Sequence, residues 1–150
     1  MKTLLASWPF WALLSAVFAA LTAIFAKVGV AGVGSDFATF IRTVVILCAL
    51  ALILSATGGW ESLSNIAPKS GLFLVLSGLA TGASWICYFR ALKLGDAARV
   101  QPIDKMSVVL VAIFGVVFLG ERLSLPNWLG VALIAAGAVL VAYRVWARGR

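Results

Sequence analysis

The sequence predicts an all-α integral membrane protein, a bundle of five transmembrane helices, and three observations carry that expectation. Of the 150 residues, 63% are hydrophobic and only 11% are charged, less than half the roughly 25% of a soluble domain. Mean hydropathy is +1.11, more apolar surface than a water-soluble fold covers and the opposite of a disordered chain. The apolar residues gather in five runs, each near the length of about 20 residues that a helix needs to cross the hydrocarbon layer. A spanning backbone must satisfy its own hydrogen bonds, and the runs lack the alternation of a membrane barrel, so they read as helices. The whole chain, 1–150, reads as a single transmembrane domain.

The first helix is expected at about 8–26. Ser7-Trp8-Pro9 opens it with a capping residue and an early proline. Met1-Lys2 ahead of an apolar run resembles a secretory signal, but the run is long, its cleavage site is poor and four more spans follow, so an uncleaved helix is expected. Gly32, Gly34, Ser35 and Asp36 form a turn, and Ser35 or Asp36 is expected to cap a second helix at about 37–56. Gly58-Gly59 closes it. Pro68 and Gly71 precede a third helix at about 72–92, with Gly95 as its end cap. A fourth is expected at about 100–119, ended by Gly120, and a fifth at about 128–143, opened by Ser124 and Pro126.

Five spans place the termini on opposite faces. Lys2, Lys69 and Arg122 fall on the face of the N-terminus, three basic residues, against six on the other: Lys27, Lys93, Arg99, Arg144, Arg148 and Arg150. The positive-inside tendency puts the C-terminus in the cytoplasm and the N-terminus outside. Trp8, Trp11 and Trp128 suit an aromatic belt on one side, Tyr143 and Trp146 on the other. The net charge of +7 is thereby a matter of membrane orientation, and no nucleic-acid partner is expected.

A charge inside a bilayer costs a few kcal/mol or more, so each one needs a reason. Arg42 lies about six residues, roughly 9 Å, into the second helix. Arg90 falls near the end of the third, and Asp104 and Lys105 near the start of the fourth. Chain direction alternates, so all four point to the cytoplasmic face. The functional reading is a polar vestibule for a carboxylate, phosphate or zwitterionic head, with Asp104 pairing Arg42 or Arg90. The plain alternative is snorkelling to the headgroups; it stands level for Arg90 and Lys105, whereas the deeper Arg42 favours function.

Ser77, Thr81, Ser84 and Tyr88 share one face of the third helix, with Trp85 adjacent. Such a face lines a cavity or meets another helix, or its hydroxyls bond back to their own helix. Tyr88 and Trp85 are the better pathway candidates. Asp36, Thr39 and Thr43 form a short polar strip beside Arg42. Gly78 and Gly82, Ala12, Ala16 and Ala20, and Ala132 and Ala136 with Gly130 and Gly137 repeat at spacings that suit close helix contact.

The chain holds no histidine, and Cys48 and Cys87 lie singly inside apolar runs, so neither a metal site nor a disulfide is expected. No cofactor-binding or hydrolase motif occurs. Asp104 is the single acid placed within the expected spans, too few for paired-carboxylate catalysis, and an enzyme is not expected.

Several segments carry a family likeness. They are Ala26-Lys27-Val28-Gly29, Asp36-Phe37-Ala38-Thr39 and Ile41-Arg42-Thr43; then Ser84-Trp85-Ile86-Cys87-Tyr88-Phe89-Arg90-Ala91-Leu92; then Ile103-Asp104-Lys105 through Phe118-Leu119-Gly120-Glu121-Arg122; and Trp128-Leu129-Gly130 with Ala136-Gly137. Together they resemble the bacterial EamA family of the drug/metabolite transporter superfamily, over nearly the whole chain. The resemblance implies a secondary transporter or exporter of a small solute in the bacterial inner membrane, needing no cofactor. Full-length relatives are ten helices in two inverted halves; this chain matches one half, which implies a dimer. A dual-topology homodimer, a paralogous partner of opposite orientation and a parallel pair stand in that order. The small multidrug resistance relatives use a first-helix glutamate, and the first helix here has no acid, so cationic drug export by that route is not expected. The pathway residues that follow are Arg42, Thr39, Thr43, Ser84, Trp85, Tyr88, Arg90, Asp104 and Lys105, for an anionic or zwitterionic solute. Two alternatives stay open: a non-transporting subunit of another carrier, and a small anion channel. Glu121 and Arg122 read as a solvated cap.

Overall fold

The computed structural model describes residues 7–146, with side chains through residue 142. Lys2, Tyr143, Arg144, Trp146, Arg148 and Arg150, which entered the charge count and the aromatic belt, therefore lie outside the described side chains. The described residues are mainly helical and contain no strand. In order they form α1 (Trp8–Gly29), α2 (Ser35–Thr57), a single 3-10 turn (Leu63–Asn65), α3 (Pro68–Leu94), α4 (Ala97–Asp104), α5 (Ser107–Leu119) and α6 (Leu125–Trp146). Five spans result, α4 and α5 sharing one, with mean hydropathies from 1.7 to 2.5. Among the described apolar residues only Ala23, Val30, Phe89, Leu92 and Ala138 are buried, while side chains such as Leu13, Phe25, Leu47, Leu79 and Leu133 point outward. That surface is stable against acyl chains and not against water, and the fold is that of a multi-pass membrane protein.

The chain divides into two compact units at Leu94–Gly95. In the first, α3 packs on both α2 and α1. Ser7 stands in extended conformation before α1, and Pro9 occupies its first turn, where a missing N–H costs nothing. The residue before α2 is Gly34, not Ser35 or Asp36; both side chains lie inside the first turn, where Ser35 donates to Asp36 instead. Gly58 ends α2 at a φ of 65°, a left-handed conformation that glycine adopts without a Cβ penalty.

In the second unit, α6 packs on α4 and α5. The fourth span is not the continuous helix expected at 100–119. It breaks between Asp104 and Ser107, where the amides of Met106 and Val108 bond to Ile103 and Lys105, three residues back. This is local 3-10 tightening, a frequent mark of a bend within a helix, and Pro102 has already removed one amide from the ladder. Gly120 ends α5 at a φ of 69°. The amide of Glu121 then reaches back 3.1 Å to the Gly115 carbonyl. Its carboxylate folds over Gly115, where a Cβ would stand 2.6 Å from Oε2.

The small residues expected at close helix contacts are not buried: Ala12, Ala16, Ala20, Ala132 and Ala136 are exposed, and a Cβ at Gly78, Gly82, Gly130 or Gly137 would meet nothing within 4 Å.

Candidate substrate-binding site

Three polar tethers draw one end of the first unit together. Lys27, in the last turn of α1, donates to the Leu92 carbonyl of α3 at 2.7 Å. Leu92 is fully buried, so this ammonium satisfies a helix-end carbonyl that has no partner further along its own helix, and its charge suits the negative end of the helix dipole. Lys93 donates to the Val33 carbonyl in the α1–α2 turn at 3.0 Å. Arg90 grips Asp36 with two hydrogen bonds, Nε to Oδ1 at 3.1 Å and Nη2 to Oδ2 at 2.8 Å. The C-terminal ends of α1 and α3 thus meet the start of α2, the alternation read from the sequence.

A cavity of about 350 Å³ opens beside these tethers. Its walls are Thr22, Phe25, Ala26 and Gly29 from α1, Val33 from the turn, Ala38, Ile41 and Arg42 from α2, and Phe89 from α3. Six of those nine residues carry apolar side chains, Gly29 carries none, Thr22 is polar and Arg42 alone is charged.

The guanidinium carbon of Arg42 lies 4.5 Å from the centre of the Trp85 ring and 5.5 Å from that of Phe89. Such contacts contribute about 0.5–2 kcal/mol each, the larger values where water is excluded. They hold the guanidinium without neutralising it. Arg42 has no carboxylate within ion-pair reach in its own unit: Asp36 is taken by Arg90, and Glu61 follows the far end of α2, about 20 Å away along the helix.

The other sequence candidates separate into groups. Thr39 and Thr43 lie on α2, but their hydroxyls donate to the carbonyls of Ser35 and Thr39, each 2.9 Å away on their own helix. Thr81 does the same with Ser77. Trp85 and Tyr88 are half-buried and Ser84 is exposed. Asp104 faces Lys105 at 3.5 Å in the second unit, and Arg90 is paired with Asp36 in the first. Sequence reasoning did not find the roles of Asp36, Lys27 and Lys93 as tethers. Their signal was position alone, a charge in the last or first turn of a span. Among the described residues no cluster of His, Cys, Asp or Glu is able to hold a metal, and Cys48 and Cys87 are free and exposed.

Five long apolar helices with charged groups inside their ends define a multi-pass α-helical membrane protein. The chain matches the EamA-like transporter family over residues 6–143 and belongs to it; it is a membrane transporter and not an enzyme. It is 73% identical over 136 residues to an uncharacterized transporter in the cobO 3'region of a Sinorhizobium species, covering 91% of this chain and 96% of that one. It is also 42% identical over 55 residues to a UDP-N-acetylglucosamine/UDP-N-acetylgalactosamine transporter, nstp-4, of Caenorhabditis elegans, covering 37% of this chain and 16% of that one. No solved structure matches the chain.

Proposed function

We propose that the chain is a secondary exporter of a small anionic or zwitterionic metabolite, with the Arg42 cavity on its pathway. The observation that carries the reading is a guanidinium without a carboxylate partner in its unit, set in the wall of a chamber within the spanning part of α2. An uncompensated charge there is costly, and a passing anion supplies the missing counter-charge. Trp85 backs the guanidinium on α3, with Tyr88 three residues further along the same helix. Arg90 with Asp36, and Asp104 with Lys105, are charge-neutral pairs toward the ends of their helices, suited to guiding a solute rather than holding it. Thr39 and Thr43, whose hydroxyls are already bonded, shape the route.

The protein works as a dimer in the bacterial inner membrane, N-terminus outside and C-terminus in the cytoplasm. The worm relative's nucleotide-sugar cargo supports an anionic solute, although that likeness covers little of either chain. The test is comparative metabolite profiling of cells with and without the gene, followed by flux of the accumulating solute into vesicles. Arg42→Leu is expected to abolish flux while the protein still inserts. Normal flux in that variant removes the pathway assignment. Flux that needs a second protein supports the subunit alternative, and non-saturating electrogenic flux supports the channel.

A further inference from the structure

The transport reading leaves the solute's chemistry open between an anion and a zwitterion. The charge arrangement of the first unit narrows it. Arg90 is held by Asp36, Lys27 and Lys93 are pinned to the backbone carbonyls of Leu92 and Val33, and Lys69 stands in the first turn of α3, at the end opposite Arg90. Arg42 alone presents its charge to the cavity. A zwitterion would bring an ammonium for which the walls offer no carboxylate. A dianion would keep one negative charge unmatched against apolar walls, and an unpaired charge in such surroundings is strongly disfavoured.

The guanidinium's chemistry adds a second constraint. Its carbon stands over the Trp85 ring, 4.5 Å from the ring centre, and it carries five N–H donors in a rigid fork. That fork fits two oxygens of one planar or fork-shaped acid group. Beyond it the chamber is lined by Phe25, Ile41 and Phe89. Its volume of about 350 Å³ lies at the small end of ligand pockets, roughly 300–1,000 Å³.

We propose that this cavity binds a small apolar monoanion: one carboxylate or sulfonate, held by the Arg42 guanidinium, on an aromatic or branched aliphatic body that packs against Phe25, Ile41 and Phe89. The proposal rests on the transport reading for its purpose but not for its chemistry. A lipid phosphate is the other source of a single negative charge near this depth, and the test separates the two.

The experiment is calorimetric titration of the full chain in phosphatidylcholine nanodiscs. The probe is benzenesulfonate, which stays ionised and does not leak through lipid as a neutral acid. Saturable binding is expected. Benzenesulfonamide, benzylammonium and benzene-1,3-disulfonate, which are neutral, cationic and dianionic on the same ring, are expected to bind at least about tenfold more weakly. Arg42→Leu is expected to lose about ten- to a hundredfold in affinity, the worth of a charge-assisted hydrogen bond or two. Arg42→Lys falls between, keeping the charge but losing the fork, and Thr81→Val is unchanged. If Arg42→Leu does not fold, the wild-type ligand series and Arg42→Lys carry the test.

Absent saturable binding, equal affinity for the disulfonate or the sulfonamide, or tighter binding of a UDP-sugar overturns the proposal. So does displacement of benzenesulfonate by dilute dihexanoyl phosphatidylglycerol, which assigns the site to a lipid headgroup. Binding and flux fail separately. A protein that moves its metabolite yet ignores the sulfonate loses the substrate class alone, whereas one that binds the sulfonate and moves nothing loses the transport reading.

Discussion

Arg42 and the threonines near it show how little side-chain identity decides before partners are known. Thr39, Thr43 and Arg42 sit within five residues on α2, and by type all three suit a polar route. The threonine hydroxyls are spent on carbonyls of their own helix, a common resolution for hydroxyls in apolar surroundings. The guanidinium is too long and has too many donors to be satisfied that way. Its carbon lies over two rings, those of Trp85 and Phe89. Thr43→Val is therefore expected to change flux by no more than about twofold, since the bond it deletes is local. Arg42→Lys is expected to reduce flux clearly although the charge is kept. Vesicle uptake of the same solute checks both, and equal losses in the two variants would contradict the division between them.

At the scale of elements, the helices end where backbone chemistry stops them, and one span bends where apolar content alone gives no warning. Gly58 and Gly120 occupy the left-handed region, so Gly58→Ala and Gly120→Ala are each expected to cost about 1–2 kcal/mol. Gly78→Ala, with open space around its Cβ position, is expected to be neutral or slightly stabilising. Thermal unfolding in detergent distinguishes them, and an equal loss at Gly78 would reveal a close contact there. Lys27→Met removes the donor to a buried helix-end carbonyl and is expected to destabilise by about 1–3 kcal/mol. Lys93→Met, at an exposed tether, is expected to cost less. A stable Lys27→Met protein would show that the Leu92 carbonyl finds another partner.

At the scale of the whole molecule, the sequence made the spans legible because a bilayer imposes length and apolarity directly on the chain. Trp8–Gly29, Ser35–Thr57, Pro68–Leu94 and Leu125–Trp146 all contain the helices read beforehand, extended by a few residues into the turns. The break near Lys105 escaped because periodicity registers apolar content and not a change from four-residue to three-residue bonding. The candidate site was legible in part. Depth singles out Arg42, which stands in the cavity wall, and spacing singles out Trp85, whose ring lies under its guanidinium carbon, but the Asp36–Arg90 pair joins residues 54 apart, a separation that only folding brings together. Orientation belongs to this scale as well. Six basic residues against three lead to the expectation that a C-terminal reporter signals from the cytoplasm. Signal from one face alone eliminates the dual-topology dimer, and signal from both faces favours it. The central claim is that a guanidinium in the α2 wall does the work of holding the solute. It is tested most directly by chemical rescue: vesicles bearing Arg42→Ala should be inactive and should regain flux when millimolar guanidinium is added, whereas full flux in that variant without added guanidinium would contradict the account.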